Sequence, residues 1–360
     1  MNYNEIRRKT KKIKVGNTFI GGDSNVSVQT MTNTDTHDKE ATLNQVKELE
    51  KAGADIIRIA LPDIKSVETI YFIKENDIKT PIVADIHFDY KIAIEAVAAG
   101  IDKIRINPGN IGNDEKVKLV ADSCKKAGVP IRIGVNSGSL ESLILEKYGA
   151  PTAEALAESA LYHAALLEKY DFDDIIISIK SSHADIMKKA CEIVSSKCDY
   201  PLHIGVTEAG RGNSGLIKSS AGIGALLLSG IGDTIRISLT DNPVNEVLYG
   251  KELLRSLEIA NENYINIISC PTCGRTKIDL IKICEKLENR LKTIEGLDRK
   301  ITVAVMGCAV NGPGEAREAD IGVAGGEHEA LLFRHGKIIR KIREEDVENE
   351  LLEEIKRISK

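Results

Sequence analysis

Lys103-Ile-Arg-Ile-Asn107 and, one helical stretch later, Pro130-Ile-Arg-Ile-Gly-Val135 are short runs in which charged or small residues alternate with isoleucine or valine. A period of two marks a strand with two different faces. The same kind of run occurs upstream at Val26–Met31, Asp55–Ala60 and Pro81–Ile86, and downstream at Ile175–Ile179, Leu202–Val206 and Thr234–Ser238, which makes eight. Each is followed by a stretch of helical periodicity. Lys39–Ala52 is one, with Asp38 as its N-cap, and Thr152–Lys169 is another, with Pro151 at its first turn. Ala52-Gly53, Ala99-Gly100 and Ala127-Gly128 close helices, where glycine suits a left-handed cap. Eight β-then-α units predict an α/β fold, a (β/α)8 TIM-type barrel. A doubly wound open sheet is the rival, but no strand leads through G-x-G-x-x-G into a helix.

Beyond the barrel the pattern changes. A strand at Ile265–Ser269, a helix at Lys277–Thr293 and a strand at Ile301–Met306 precede a Gly-rich loop, a hairpin around His335-Gly336 and a charged terminal helix. This reads as a smaller α+β domain. The polar stretch Glu258–Asn263 is the expected boundary, giving domains 1–261 and 262–360.

The 360 residues are 42% hydrophobic and 29% charged, as in a folded soluble chain. Five Phe, nine Tyr and no Trp require an aliphatic core and leave few rings for stacking nucleic-acid bases. A net charge of −5 argues against a general nucleic-acid or membrane-surface role. The basic start, MNYNEIRRKTKKIK, lacks the apolar core of a secretory signal and reads as a solvated arm. No apolar run approaches a membrane span, so a cytoplasmic protein is expected.

Several strand ends carry polar residues at one parity: Asp85 with His87, Arg105 with Asn107, Arg132 with Asn136, Ser178 with Lys180, and Arg236 with Ser238. Arg58 lies within Ile-Ile-Arg-Ile-Ala, and Thr207-Glu208 ends another run. This face is expected to point into the barrel near its C-terminal mouth. A single arginine there could pair with a carboxylate or reach solvent. Four arginines and Lys180 from five strands are a different matter, because clustered cations repel and desolvating them is costly. Asp85, Glu208 and Asp241 cannot neutralise them all, so a bound phosphate or diphosphate is expected. The loops Asn107–Gly112 and Gly210–Gly215 offer backbone N–H groups for its oxygens.

There are seven cysteines. Cys124, Cys191 and Cys284 fall in helical stretches and read as buried thiols, and Cys198 lies in a loop without a motif. Cys270-Pro-Thr-Cys273-Gly-Arg and Gly307-Cys308-Ala-Val-Asn-Gly-Pro-Gly-Glu315 are different, since each follows an apolar run and opens a turn. Three readings exist: a redox disulfide with a spare thiol, a structural zinc completed by Glu315 or His328, and an iron–sulfur cluster. The spacing and the missing fourth cysteine favour the cluster.

Those strings, with Val28–Thr36, Ala84–Phe88, Ile104–Gly112, Arg132–Leu140, Thr207–Gly210 and Gly230–Thr240, resemble the 4-hydroxy-3-methylbut-2-enyl diphosphate synthases over nearly the whole chain. These are iron–sulfur enzymes of non-mevalonate isoprenoid biosynthesis. The resemblance implies a [4Fe–4S] cluster on Cys270, Cys273 and Cys308, with Glu315 as fourth, exchangeable ligand. It implies two-electron reductive ring opening and dehydration of 2-C-methyl-D-erythritol 2,4-cyclodiphosphate, with flavodoxin or ferredoxin as donor. It also implies a homodimer in which one subunit's barrel faces its partner's cluster domain. The matching barrel positions are Arg58, Asp85, His87, Arg105, Asn107, Arg132, Asn136, Lys180, Thr207, Glu208, Arg236 and Ser238. Glu208 is the candidate proton donor, with Asp85 and His87 near the substrate hydroxyls. Asn25-Val26 and Ser181-Ser182-His183 depart from the usual pattern, and His183 reads as a surface residue at a helix start. The alternative is a phosphosugar- or pterin-type barrel enzyme with a structural zinc module. A non-enzymatic iron–sulfur sensor would leave the polar barrel face unexplained.

Overall fold

The computed structural model describes residues 3–260, 262–291, 294, 296–309, 314 and 316–359. The chain forms two compact units, Met1–Ala260 and Asn261–Lys360.

The first unit opens with a turn of helix, α1 (Tyr3–Ile6), and a hairpin of β1 (Ile13–Val15) and β2 (Thr18–Ile20). Eight parallel strands follow and close on themselves: β3 (Ser27–Met31), β4 (Ile56–Ala60), β5 (Ile82–Asp85), β6 (Lys103–Ile106), β7 (Ile131–Asn136), β8 (Ile175–Lys180), β9 (Leu202–Ile204) and β10 (Thr234–Ile235). The last pairs with the first, Thr234 beside Ser27, so no sheet edge is left open. Helices α2 (Lys39–Lys51), α3 (Val67–Lys74), α4 (Tyr90–Ala98), α5 (Pro108–Ile111), α6 (Asp114–Ala127), α7 (Ser142–Tyr148), α8 (Ala153–Glu168), α9 (Ala184–Ser195), α10 (Gly212–Leu227) and α11 (Pro243–Ser256) surround it.

Local chemistry explains the helix ends. Asp38 caps α2 by accepting from the Ala41 amide, and Gly128 ends α6 in the left-handed region. Thr152, not Pro151, makes the cap of α8: its side chain accepts from the Ala155 amide and the proline stands outside the helix. The outward strand residues Ile57, Ile59, Ala84, Ile104, Ile131, Ile133 and Ile177 are buried against helix residues such as Val46, Ile70, Ala96, Val120 and Leu167. Removing one of these branched side chains, as in Ile104→Ala, costs about 2–5 kcal/mol.

The basic N-terminus is not a solvated arm. Tyr3 is buried and its hydroxyl donates to the Gly232 carbonyl. Arg7 pairs with buried Asp233 at 2.7 Å, and Arg8 donates to the carbonyls of Ser195, Cys198 and Tyr200. Ile13, Val15 and Ile20 then pack with Ile56, Val83 and Ile176 as an apolar plug at the N-terminal end of the strands. Charge density masked this role, because the arginines neutralise loop groups and do not face water.

The second unit is a five-stranded sheet ordered β11 (Ile265–Ser269), β12 (Ile301–Met306), β13 (Ile321–Gly325), β14 (Glu329–Arg334) and β15 (Lys337–Arg343). The first three strands are parallel and the last two antiparallel. The Gly-rich stretch after β12 predicts a loop, but strand pairing makes Ile321–Gly325 the strand β13. Helix α12 (Leu280–Leu291) starts later than its periodicity suggested, and Lys292 and Thr293 lie outside the described residues. With α13 (Val347–Ile358) it covers one sheet face through Leu287, Leu291, Leu351 and Ile355. No helix among the described residues is long and apolar enough to cross a membrane.

Candidate active site

Each barrel strand ends at the same mouth, and the pairing register brings its polar residues together. Ala60 lies beside Asp85, Asp85 beside Arg105, and Arg105 beside Arg132 on successive strands. Asp85 is the hub. Arg105 Nη1 stands 3.2 Å from its Oδ1, His87 Nε2 3.4 Å from Oδ2, and Arg58 Nε 3.9 Å from Oδ2. Burial opposes charge on this carboxylate. Arg58, the His87 hydrogen bond and Arg105 outweigh it and hold the carboxyl well below the usual range. Arg105 also donates to the Gly134 carbonyl at 3.3 Å, and a methyl group at residue 134 would collide with its guanidinium.

On the other side Arg236 is held by Glu246 of α11, with N–O distances of 3.2 and 3.4 Å. Glu246 also accepts from Thr30 Oγ1 at 3.0 Å and from the Leu239 amide at 3.0 Å. Arg58 and Arg236 both reach Met31 Sδ, from 2.9 and 3.7 Å respectively. Glu246 is the buried counter-charge that the sequence reading missed in favour of Asp241, which is exposed. Its signal was available: residues 243, 246, 247, 250 and 254 form the buried stripe of α11, and a glutamate there faces the barrel.

Two carboxylates do not suffice. Arg132 is 1% exposed, and its Nε and Nη2 have no hydrogen-bond partner among the described residues. Burial, with Arg58 and Arg105 adding repulsion, drives its pKa well below the ordinary value. Lys180 is depressed in the same way by burial, Arg236, Arg58 and Arg132. Arg58 is pushed down to about 10, first by burial, against the attraction of Asp85. Two further members escaped the sequence reading: Lys103, fully buried with Gln29 Oε1 3.5 Å away, and His203, whose Nδ1 lies 3.3 Å from Thr234 Oγ1. Burial and the neighbouring cations hold both below their ordinary values. The run parity of Lys103 matched that of Arg105, and that was the available signal. A buried cation without its counter-charge is costly, and a multiply charged anion relieves that cost.

The neutral members occupy the rim. Asn107 is buried and accepts from the Gly109 amide at 3.1 Å, so its loop is the one-turn helix α5. Asn136, Thr207 and Ser238 are half-buried. His87 lies past the end of β5 and is exposed; with Phe88, Asp89, Leu61 and Ile92 it lines a hollow of about 350 Å³ beside Asp85. Glu208 is exposed with φ at 52°, a strained backbone for a non-glycine residue at the mouth. Residues 212–215, expected as a loop, begin helix α10, and His183 is an exposed residue at the start of α9.

In the second unit Cys270 directly follows β11, and Cys308 lies just beyond β12 on the adjacent parallel strand. The Gly307 amide donates to Cys270 Sγ at 3.2 Å. Thr276 accepts from the Cys273 amide at 3.1 Å, and the Lys277 amide donates to the Gly307 carbonyl at 2.9 Å, which ties the Cys-Pro-Thr-Cys turn to the Cys308 segment. Cys273 is exposed, and hydrogen bonds from the Arg275 backbone and side chain lower its thiol pKa. All seven cysteines are free thiols. Among the described residues no three His, Cys, Asp or Glu side chains stand close enough to hold a metal ion. Glu315 lies outside the described residues. The donor chemistry, soft sulfurs on neighbouring strand ends with an amide directed at one of them, fits an iron–sulfur cluster. Of the remaining thiols, Cys124 and Cys191 are buried, with burial pushing Cys191 up to about 12, while Cys284 is only half-buried.

Fold and site together define a class: a (β/α)8 barrel with a buried cationic mouth, followed by a cysteine-bearing α+β unit. The chain belongs to the GcpE family, with residues 10–251 matching the GcpE TIM-barrel domain and residues 266–357 the GcpE protein C-terminal domain. It is 57% identical over 349 residues to a 4-hydroxy-3-methylbut-2-en-1-yl diphosphate synthase (flavodoxin) of Ruminiclostridium cellulolyticum, covering 97% of this chain and 98% of the relative. A protein of the same name from Clostridium tetani is 56% identical over 352 residues, covering 98% and 99%. Among solved structures, a type I 3-dehydroquinate dehydratase from Clostridium difficile matches with a TM-score of 0.50 and 16% identity, over 69% of this chain and 97% of that one. That likeness is one of barrel fold alone.

Proposed function

We propose that this chain catalyses the reductive ring opening and dehydration of 2-C-methyl-D-erythritol 2,4-cyclodiphosphate to 4-hydroxy-3-methylbut-2-enyl diphosphate. The reaction consumes two electrons and two protons and releases one water, with a reduced flavodoxin as donor. The names of its relatives favour this over a phosphosugar- or pterin-type barrel enzyme with a zinc module. The observation that carries the site assignment is the buried Arg132, whose Nε and Nη2 lack partners among the described residues, amid cations that two carboxylates cannot neutralise.

Arg132 and Lys180 bind the diphosphate directly, joined by Arg58, Arg105 and Arg236. Asp85 and Glu246 hold three of these arginines in place beforehand, so little side-chain entropy is lost on binding. Negative charge grows on the diphosphate as its ring C–O bond opens, and a preset, largely buried guanidinium cluster stabilises that charge. The apolar plug beneath keeps water from entering at the closed end. Asn107, Asn136, Thr207 and Ser238 supply neutral hydrogen bonds to the substrate rim. Asp85 and His87 orient its hydroxyls, and Glu208 delivers a proton at the departing oxygen. Cys270, Cys273 and Cys308, with Glu315 as exchangeable fourth ligand, would hold a [4Fe–4S] cluster. Bound there, that group supplies single electrons and a Lewis-acidic iron. We further propose a homodimer, which sedimentation velocity of the iron-loaded protein tests.

The decisive assay is anaerobic turnover of the cyclodiphosphate by iron-loaded protein with reduced flavodoxin. Product formation that requires both reductant and iron supports the proposal. Turnover without reductant, or protein that holds zinc and no iron or sulfide, contradicts it.

A further inference from the structure

Outside the cationic mouth, one histidine–glutamate pair has no part in the chemistry above. His163 lies in the middle of α8 and is fully buried, on the same side as Ala160, Ala164 and Leu167. Its Nε2 is hydrogen-bonded to Glu141 Oε1. Glu141 occupies the position before α7 but makes no side-chain capping bond to that helix; its carboxylate is turned to the imidazole. Burial pushes the Glu141 carboxyl up, but the His163 hydrogen bond and charge outweigh it and hold the group below its ordinary value.

The pair is not saturated. His163 Nδ1 is buried without a partner among the described residues, while Ser159, one turn earlier on α8, interacts with the Glu141 carboxylate and helps lower its pKa. A pair kept for stability alone would be expected to satisfy that ring nitrogen as well. Directly above it lies the one-turn helix α5. A methyl group added to Gly109 would stand 3.0 Å from His163 Cε1, 3.2 Å from Glu141 Oε1 and 3.4 Å from Asn107 Oδ1. Asn107 Oδ1 in turn accepts from the Gly109 amide at 3.1 Å. Glu141, His163, Gly109 and Asn107 therefore form one packed cluster that links α7, α8 and the segment after β6. A side chain at 109 would therefore have to push α5 and the pair apart by a few tenths of an ångström.

We propose that Glu141 and His163 are positioning residues for the Asn107–Gly112 segment, seating it so that the Asn107 side chain meets the diphosphate. This rests on the reading of the mouth as a diphosphate site. Neither residue touches the reacting atoms. Their effect therefore falls on substrate affinity more than on the chemical step.

The test uses iron-loaded protein carrying His163→Ala, His163→Gln, Glu141→Gln and Gly109→Ala. Steady-state kinetics with the cyclodiphosphate and amide hydrogen exchange of the free protein are the readouts. His163→Ala and Glu141→Gln are expected to raise KM about tenfold or more, the scale of one lost charge-assisted hydrogen bond, with kcat within about threefold. Exchange across residues 107–112 should quicken about tenfold while the rest of α8 stays protected. His163→Gln keeps a polar group near the Nε2 position and should recover most of the affinity. Should His163→Ala fail to fold, Gly109→Ala decides alone: it leaves the pair intact, displaces α5 and should raise KM similarly. An unchanged KM in these variants, or faster exchange spread along α8 with 107–112 unaffected, overturns the proposal. Wild-type protein that fails to bind the cyclodiphosphate at all overturns the diphosphate reading itself, whereas equal binding by wild type and variants overturns only the positioning role.

Discussion

The barrel mouth and the cysteine edge of the second unit are built on opposite principles. The mouth is assembled before any ligand arrives: Asp85 and Glu246 are 5% and 3% exposed and fix their arginines across several strands. The cysteine edge presents Cys270, Cys273 and Cys308 on turns beyond two strands, half-buried or exposed, with one sulfur bonded to an amide. Charges buried in a closed sheet have their positions dictated by register. Thiols on turns take their final geometry from what they bind, so a cluster held there would also order its segments. One region should therefore respond to substitution mainly through substrate affinity, and the other through cluster content.

The largest effect is expected at the cysteine edge. Cys273→Ser should abolish bound iron and lower turnover by about a thousandfold or more, while diphosphate affinity stays within a few-fold of wild type. Iron analysis beside calorimetry checks this, and a parallel loss of diphosphate binding would break the contrast. Arg132→Met should do the reverse, raising KM by about a hundredfold and leaving iron content intact. Glu246→Gln acts through Arg236 and should raise KM about tenfold, with a smaller effect on Arg58 contacts.

The smallest effect is one of pH. Lys180 and Lys103 have folded pKa values below their unfolded ones, first because of burial and then because of neighbouring cations. The native state then binds fewer protons than the unfolded state, so the free protein gains stability as pH rises through a window below the ordinary lysine value of about 10.4. A bound diphosphate supplies the missing counter-charge and draws protons in. The Tm increase caused by diphosphate should thus be larger near pH 7 than near pH 9.5, as scanning calorimetry can measure. An increase that grows with pH would contradict the account.

Much of this was legible in the amino-acid sequence, and the exceptions have physical causes. Period-two runs announced all eight barrel strands, because a strand between helices and an inward polar face must alternate. Arg58, Arg105, Arg132, Lys180 and Arg236 were readable from the same parity. Glu246 was not picked out, since a helix stripe is read for apolar residues and a glutamate in it looks like a break. Arg7 and Arg8 looked like solvent charges because their partners are loop carbonyls and Asp233, far away along the chain. Residues 321–325 looked like a glycine-rich loop because Gly322 packs under Phe333 and Ala304, a contact set by strand pairing that no local pattern reveals. His163 was hidden among the alanines and leucines of α8, and only the fold brings it to Glu141.

The central claim is that the barrel mouth is a diphosphate site whose cations await their counter-charge. Isothermal titration of methylenediphosphonate into wild-type and Arg132→Met protein, in two buffers of different ionisation enthalpy, tests it most directly. The account predicts one site per chain in wild type, with net proton uptake, and affinity weaker by about a hundredfold in Arg132→Met. Binding that is absent in wild type, or equal in both proteins without proton uptake, would contradict it.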